Sequence, residues 1–297
     1  TYHSPPDSQS PEPFVSVSLD TCIDIAIAAG ERILSIYQTD FDVQTKADES
    51  PLTQADLASH RCIADGLQQH WPEIPVLSEE GKSLPFETRQ QWMRYFLVDP
   101  LDGTKEFIKK NGEFTVNIAL IDNGVPVLGV VHAPVLGVTY AGDRNGALRI
   151  ENGERQAMRV RPAAAKPTLV VSRSHQDEAL QQLLSGISEH GAVSRGSSLK
   201  FCLVAEGSAD LYPRTGPTCE WDTGAGQGQG RDVGCGGLVD GLGNPLPEIN
   251  AERIDGRVLE RDDGDSALFP VIGKVVQRAF LSRRRIGFHV VSSPARL

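Results

Sequence analysis

The sequence contains no long apolar run. None of its hydrophobic stretches approaches the roughly 20 residues that a helix needs to span a bilayer. Its first residues are polar and rich in proline, without the apolar segment of a secretory signal. We therefore expect no transmembrane segment and a disordered tail over residues 1–15.

Cysteine is also scarce. Five cysteines are scattered along the chain without a Cys-x-x-Cys pair: Cys22, Cys62, Cys202, Cys219 and Cys235. An odd, widely spaced set is typical of reduced thiols and disfavours a disulfide framework or a zinc site. The cysteines therefore predict a cytoplasmic protein.

Positive charge is the third shortage. There are 29 Lys and Arg residues against 39 Asp and Glu, a net charge of −10. Nonspecific nucleic-acid binding needs a basic surface and is disfavoured. A phosphorylated small molecule is not excluded, because bound divalent cations would reverse the field of an acidic site. With 39% hydrophobic and 23% charged residues, the 297 residues suffice for one large or two medium packed domains.

The stretch around residues 97–104, LVDPLDGT, combines features that favour phosphate chemistry. An apolar run predicts a buried strand that ends in Asp99 and Asp102; Pro100 should end its ladder, and Gly103 permits a tight turn. Residues 105–108 predict a first helical turn. Carboxylates there attract hard cations, and amides at a helix start attract phosphate oxygens. A plain Asp-Gly turn would account for the spacing alone.

The whole motif narrows these alternatives. Asp99-Pro100-Leu101-Asp102-Gly103-Thr104 resembles the signature of the inositol monophosphatase superfamily. Its extension through residues 105–108 and 111–120 looks like the CysQ-type branch, the 3'(2'),5'-bisphosphate nucleotidases. The resemblance runs from about Ala26 to Asp222 and implies an α+β / α/β fold, a two-domain layered αβαβα sandwich.

Local patterns predict elements that fit this architecture. Apolar spacing indicates a helix over 19–37 with Asp20 as N-cap, and a helix over 56–70 capped by Thr53 with Asp56 near N3. Strands are expected at 41–46, 76–81, 114–120, 125–133 and 138–141, then at 168–172 and 210–213, with helices at 176–187 and 199–206. We expect an N-terminal metal-binding domain over 16–161 and a C-terminal substrate domain over 162–297.

The resemblance implies a cation site made of oxygen ligands. Its ligands would be Glu79, Asp99, the Leu101 carbonyl, Asp102 and Asp222. Oxygen donors suit Mg²⁺, in two or three copies, or Mn²⁺. Adjacent strand residues point to opposite faces, so only one of Glu79 and Glu80 should face the site, and the resemblance selects Glu79. Thr104 would orient the attacking water, with Asp48 or Glu79 as proton acceptor.

Substrate contacts are expected mainly from the second domain. By resemblance, Ser197, Lys200 and Arg214 hold the phosphate that does not react, and His175 approaches the adenosine. An ordinary helix cap explains the serines but leaves Lys200 at a helix start unexplained, because a cation there opposes the dipole. The remaining substrate-contact candidates are Glu79, Leu101, Asp102, Gly103, Thr104 and Asp222.

After Asp222 the chain departs from the family pattern. Four glycines fall in the seven residues 224–230, where the family continues with a helix rich in alanine. Each interior glycine costs a helix roughly 0.5–1 kcal/mol relative to alanine, so this segment predicts a lost helix. The C-terminal domain is therefore expected to be atypical after residue 223.

Together these features predict a Mg²⁺-dependent phosphatase that removes the 3'-phosphate of adenosine 3',5'-bisphosphate in sulfate assimilation. The resemblance implies inhibition by lithium and leaves peripheral association with the inner membrane open. An inositol monophosphatase is one alternative, against which Lys105-Glu106-Phe107 and the pair Lys200 and Arg214 weigh. A non-catalytic descendant that binds nucleotide or metal is the other. The oligomeric state is left open.

Overall fold

The computed structural model describes residues 15–46, 51–82, 84–162, 164, 166–172, 180–181, 184, 189–214 and 218–229. Several sequence predictions lie outside these residues: the tail up to residue 14, Asp48, His175, most of the helix over 176–187, Cys235 and the rest of the segment after 229.

The elements follow one another along the chain as short strands, helices and one long antiparallel meander. They are α1 (Leu19–Tyr37), β1 (Val43–Thr45), β2 (Pro51–Thr53), α2 (Gln54–His70), β3 (Val76–Ser78), α3 (Phe86–Arg89), β4 (Arg94–Asp102), α4 (Thr104–Ile108), β5 (Thr115–Asp122), β6 (Val125–Ala133), β7 (Val138–Asp143), β8 (Gly146–Glu151), β9 (Glu154–Ala157), β10 (Thr168–Ser172), β11 (Gly191–Arg195), α5 (Leu199–Ala205) and α6 (Glu220–Gly228).

A seven-stranded sheet forms the centre, in the order β3-β4-β5-β6-β7-β8-β9. Only β3 and β4 are parallel; every other neighbouring pair is antiparallel. The predicted β-rich runs at 114–120, 125–133 and 138–141 are confirmed as β5, β6 and β7. Asn123 and Gly124 have φ of 51° and 75°, which fits the tight turn of the β5–β6 hairpin.

The central motif occupies the end of β4. The prediction that Pro100 ends the ladder is wrong: β4 and β5 pair at Asp99–Asn117 and again at Asp102–Thr115, with a register shift between. A bulge absorbs the proline, which has no amide proton to donate. The chain then turns at Gly103, whose φ of 94° suits glycine, and enters α4. The strand therefore delivers both carboxylates at one end of the sheet.

Helices α1 and α2 cover one face of the sheet. The bounds of α1 are confirmed, but Asp20 is not its N-cap: the Ser18 hydroxyl accepts a hydrogen bond from the Thr21 amide at 3.3 Å. Asp20 lies in the first turn and pairs with Arg155. The Thr53–Asp56 capping box of α2 is confirmed.

Helix α6 covers the opposite face, so the predicted loss of this helix is wrong. A Cβ on Gly228 would lie 2.3 Å from the Leu128 carbonyl oxygen, and one on Gly129 would lie 2.0 Å from the Ala225 carbonyl oxygen. Such close approach of helix and strand backbones tolerates no side chain. The glycines lower helix propensity but permit this contact, and the contact holds the helix in place.

Two further sheets have two strands each: β1 and β2 pair antiparallel, and β10 and β11 form the small parallel sheet. Strand β10 is confirmed; β8, β9 and β11 were not predicted. The strand predicted at 210–213 reduces to one bridge between Leu211 and Leu169. Helix α5 contacts both β10 and α6. The layers are therefore α1 and α2, the large sheet, α5 and α6, and the small sheet, which confirms the predicted layered α/β sandwich.

The apolar core follows this layering. One buried cluster joins α1 and α2 to the sheet, and a second joins the other face to α5, α6 and β10. None of the helices in the described part of the chain has the length and apolarity needed to cross a membrane.

Candidate active site

Asp99 is held rigidly at the bulge of β4. Its side chain is 1% exposed and accepts a hydrogen bond from the Leu101 amide at 3.1 Å. Three residues further on, Asp102 Oδ2 accepts hydrogen bonds from the hydroxyls of Ser197 at 3.0 Å and Ser198 at 2.7 Å. The Ser59 hydroxyl donates to the Pro100 carbonyl at 2.7 Å. The bulge is thus anchored from two sides.

Asp222 reaches the same point from the first turn of α6. Its Oδ2 accepts hydrogen bonds from the Thr218 hydroxyl at 2.8 Å and the Cys219 amide at 3.1 Å. Asp222 thus occupies position N3 of α6, where its carboxylate accepts from the amide of the N-cap residue Cys219 while also facing the acidic site. One carboxylate oxygen from each of Asp99, Asp102 and Asp222 lies within 4.8 Å of the others.

This concentration of negative charge shifts the acid–base behaviour of the cluster. Burial raises the pKa of Asp99 well above its usual range, and the charges of Glu79, Asp102 and Asp222 raise it further. Burial and the charge of Asp102 raise the pKa of Asp222 to about 6. Crowded carboxylates are costly unless a cation neutralises them. The donor set therefore fits a hard divalent cation, which prefers several oxygen ligands.

Glu79 is arranged differently from the aspartates. Its Oε1 accepts a hydrogen bond from the Lys46 amino group at 2.7 Å, and the same amino group contacts Glu80 Oε1. Of the two glutamates, only Glu79 lines the cavity described below, although β3 ends at Ser78 and strand alternation does not extend to either residue. Burial raises the pKa of Glu79, although Lys46 opposes the shift.

Thr104 opens α4 at the edge of the cluster. Its hydroxyl donates to Asp56 Oδ1 at 3.3 Å, and Asp56 Oδ2 accepts from the Thr53 amide and hydroxyl. Sequence reasoning assigned Asp56 only to the cap of α2. The Thr53-x-x-Asp56 capping pattern can be seen in the sequence, but the contact between Asp56 and Thr104 cannot, because it joins residues 48 positions apart. The capping box of α2 therefore also orients Thr104, through Asp56.

The predicted phosphate contacts lie across the same space. Lys200 is only 5% exposed. Its amino group donates to the Ser197 carbonyl at 2.6 Å and lies over the Tyr212 ring. The carbonyl and the ring together accommodate this cation near the helix start, which the helix cap alone left unexplained. Arg214 donates to the Tyr212 hydroxyl at 3.3 Å.

These groups line one cavity of about 270 Å³. All predicted site residues that the structure describes contribute to it: Glu79, Asp99, Leu101, Asp102, Gly103, Thr104, Ser197, Lys200, Arg214 and Asp222. Sequence reasoning missed its other lining residues: Pro51, Lys105, Glu106, Ser172 and Gly196. A larger cavity of about 1070 Å³ lies beside the β7–β8 turn, but the Asp99, Asp102 and Asp222 cluster is not part of it.

The cavity thus has an acidic wall at the sheet and a basic wall from α5 and Arg214. This polarity suits a phosphorylated ligand held between a cation and basic side chains. The chain belongs to the inositol monophosphatase family, whose profile matches residues 16–249. The match extends beyond the span of 26–222 expected from the motifs.

Individual relatives and structures agree with this assignment. The chain is 53% identical over 230 residues to the 3'(2'),5'-bisphosphate nucleotidase CysQ of Escherichia coli K12, covering 77% of this chain and 92% of that protein. It is 47% identical to the protein of the same name from Buchnera aphidicola, covering 70% and 79%. The crystal structure of CysQ from Bacteroides thetaiotaomicron superimposes with a TM-score of 0.65 at 41% identity, covering 73% and 86%.

A more distant structure shares the architecture. The extragenic suppressor protein suhB of Bartonella henselae, 26% identical, gives a TM-score of 0.62 and covers 72% of this chain and 84% of its own. The predicted fold, an inositol monophosphatase-type sandwich, is confirmed.

Proposed function

We propose that this protein is a Mg²⁺-dependent 3'(2'),5'-bisphosphate nucleotidase that hydrolyses the 3'-phosphate of adenosine 3',5'-bisphosphate to give AMP. The observation that carries the proposal is the cluster of Asp99, Asp102 and Asp222 facing Lys200 and Arg214 across one cavity. The 53% identity to named nucleotidases supports the same reaction.

Each wall of the cavity has a role in this proposal. Glu79, Asp99, Asp102, Asp222 and the Leu101 carbonyl would hold Mg²⁺, with Mn²⁺ as a substitute. When bound, the metal supplies Lewis-acid polarisation of the phosphate and of water and neutralises the carboxylates. On the strength of the family resemblance we also propose two or three bound Mg²⁺ ions and inhibition by lithium.

The protein's own groups orient the attack. Thr104, whose hydroxyl proton is donated to Asp56, accepts a hydrogen bond from the attacking water. Glu79 takes its proton; Asp48 is the other proposed acceptor and lies outside the described residues. Attack forms a new P–O bond and breaks the bond to the ribose 3'-oxygen, which takes up a proton from solvent as it leaves as the 3'-hydroxyl.

The basic wall would select the substrate. Lys200, Arg214 and Ser197 hold the 5'-phosphate, which inositol 1-phosphate lacks; Gly103 and Asp222 contact the reacting part of the substrate. His175 is proposed for the adenosine. We retain the division into a metal-binding domain over 16–161 and a substrate domain over 162–297 as part of this proposal. The four described cysteines are free thiols, which supports a reducing, cytoplasmic setting for this step of sulfur metabolism.

The test is phosphate release from adenosine 3',5'-bisphosphate and from inositol 1-phosphate, each with and without Mg²⁺. We expect Mg²⁺-dependent turnover of the nucleotide, its loss in Asp102→Asn, and a raised KM for the nucleotide in Lys200→Gln. Lys109→Gln, which removes an exposed lysine outside the cavity, is the matched control. Preference for the inositol ester would reassign the substrate, and a folded protein inactive on both would favour a non-catalytic role.

A further inference from the structure

Asp102 is the most elaborately bonded carboxylate of the cluster. Its Oδ2 accepts from the hydroxyls of Ser197 and Ser198 and, at 3.4 Å, from the Asn117 side-chain amide. No hydrogen bond to its other oxygen, Oδ1, arises within the described part of the chain. One oxygen is therefore held by protein donors, and the other is left for a cation.

A buried polar network stands behind these contacts. Asn117, on β5, is 0% exposed; its amide nitrogen donates to the Ser198 hydroxyl at 2.9 Å, and its oxygen accepts from the Thr115 hydroxyl at 3.0 Å. The Ser198 hydroxyl also lies 3.0 Å from the Asp222 carbonyl oxygen. This single hydroxyl, 1% exposed, therefore touches the Asp102 carboxylate and the backbone of the helix that carries Asp222.

The hydrogen count restricts how this network works. Asn117 donates to Ser198 Oγ, so the one hydroxyl proton of Ser198 is available for Asp102 Oδ2 or the Asp222 carbonyl. The 2.7 Å distance to the charged oxygen is shorter than the 3.0 Å distance to the carbonyl. Hydrogen bonds to charged groups are also stronger, so the proton points to Asp102.

We propose that Asn117 and Ser198 are positioning residues that align Asp102 with Asp222 for divalent-cation binding. Apart from the Ser198 amide, which donates to the Ser197 hydroxyl at 2.6 Å, no hydrogen bond among the described residues joins the pair to Lys200, Arg214 or Glu79. It rests on the metal site of the proposed function, but not on which phosphate ester is the substrate.

Burial alone does not explain this pair. Asn117 lies between Val116 and Ile118 on a central strand, where a buried amide must be desolvated. An apolar side chain would avoid that cost. The Asn117 amide offsets this cost by holding the Ser198 hydroxyl on the Asp102 carboxylate. Loss of such supporting contacts typically weakens metal binding by about 10- to 100-fold.

The test measures Mn²⁺ affinity by electron paramagnetic resonance, and thermal unfolding in EDTA, for Ser198→Ala and Asn117→Ala. We expect both variants to bind Mn²⁺ about tenfold more weakly while folded. Thr139→Val is the matched control, because it removes a buried hydroxyl that bonds His132 at 2.9 Å on the same sheet but away from the cavity. It should lose stability without losing Mn²⁺ affinity.

Two results would overturn the proposal: Mn²⁺ affinity unchanged within twofold in folded Ser198→Ala and Asn117→Ala, or an equal loss of affinity in Thr139→Val. If one variant fails to fold, the other decides. Absence of Mn²⁺ binding to the unaltered protein would overturn both this proposal and the proposed function. Normal Mn²⁺ binding without turnover of adenosine 3',5'-bisphosphate would overturn only the function.

Discussion

The acidic wall of the cavity has two sides, and their negative charges are compensated in different ways. On one side Glu79 and Glu80 share the amino group of Lys46. On the other, Asp99, Asp102 and Asp222 crowd within 4.8 Å, and among the described residues none of the three forms an ion pair with a lysine or arginine. Their hydrogen-bond donors are hydroxyls and amides, and Lys200 and Arg214 line the same cavity without forming an ion pair with them.

The difference shows where an external cation is needed. Glu79 keeps Lys46 as a partner without a metal, and this ion pair opposes the rise in the Glu79 pKa that burial causes. The aspartates form hydrogen bonds but no ion pair among the described residues. Burial and mutual repulsion raise the pKa of Asp99 and Asp222, and the charge of Arg214 only partly opposes the rise for Asp222. The protein supplies a cation to one side and must take one from solution for the other.

We expect the largest effect from removing one charge on the aspartate side. Asp99→Asn keeps the shape and the acceptor for the Leu101 amide but removes a buried charge. We expect kcat to fall about a thousandfold or more, ~4 kcal/mol in the barrier, because a metal ligand is weakened. The metal-free protein should become more stable by on the order of 1–3 kcal/mol. Phosphate release and denaturant unfolding in EDTA measure the two effects.

The control for this exchange is Asp65→Asn, which removes a charge from an exposed position on α2. It should leave both quantities nearly unchanged. A metal-free Asp99→Asn protein that is less stable than the unaltered one would contradict the claim that the empty aspartate side is strained.

The second prediction concerns pH. The pKa of Asp222 is raised in the folded state to about 6, above an unfolded value of about 3.9. The folded protein therefore binds more protons between these values, and stability from this group is lost as pH rises from about 4 to about 6. We expect metal-free unfolding midpoints of Asp222→Asn to exceed those of the unaltered protein at pH 7.5 by more than at pH 4.5. Saturating Mg²⁺ should reverse that ranking at pH 7.5. Equal differences at both pH values would contradict the shift.

A third prediction sharpens the comparison through α6, which carries Asp222 but not Glu79. Gly228→Ala gains about 1 kcal/mol of helix propensity but places a methyl group against the Leu128 carbonyl. Overpacking should win, with a net destabilisation of about 1–3 kcal/mol and weaker Mn²⁺ binding. Gly191→Ala, where the new methyl group meets ordinary contact distances, should be nearly neutral. A stabilised Gly228→Ala protein would show that α6 lies farther from the sheet.

The same helix shows where sequence reasoning reaches its limit. Propensity predicted its loss because propensity describes a helix alone, whereas Gly228 and Gly129 allow two backbones to touch. The β4 motif was predictable because strand, turn and both carboxylates are adjacent in sequence. Asp222 was predictable only through the family resemblance, since nothing local connects it with Asp102.

Pairings between distant segments were not predictable. Nothing in the sequence next to Asn117 points to a role for its side chain, since its partner Ser198 lies 81 positions away. Lys46 and Glu79 are 33 positions apart, and their pairing depends on where β3 ends. The sequence could not distinguish Ser18 from Asp20 as the N-cap, because both side chains can cap a helix. Ser18 is the N-cap because its backbone is extended, as that position requires.

The smallest expected effect tests the Glu79 side. Lys46→Gln removes the cation that pairs with Glu79, so an incoming metal no longer competes with an internal ammonium. We expect Mn²⁺ to bind about fivefold more tightly, about 1 kcal/mol, as for a partly exposed ion pair. Lys105→Gln removes the same charge from an exposed residue of the same cavity that makes no ion pair with Glu79.

That control separates competition from general attraction. Loss of any nearby positive charge favours cation binding, but over a longer distance and screened by salt. Lys105→Gln should therefore change Mn²⁺ affinity less than twofold at 0.15 M salt. Equal tightening in both variants would mean that Lys46 acts only through its charge, and weaker binding in Lys46→Gln would mean that it holds Glu79 in place for the metal. Tightening in Lys46→Gln alone would establish that the lysine occupies Glu79 until a divalent cation displaces it.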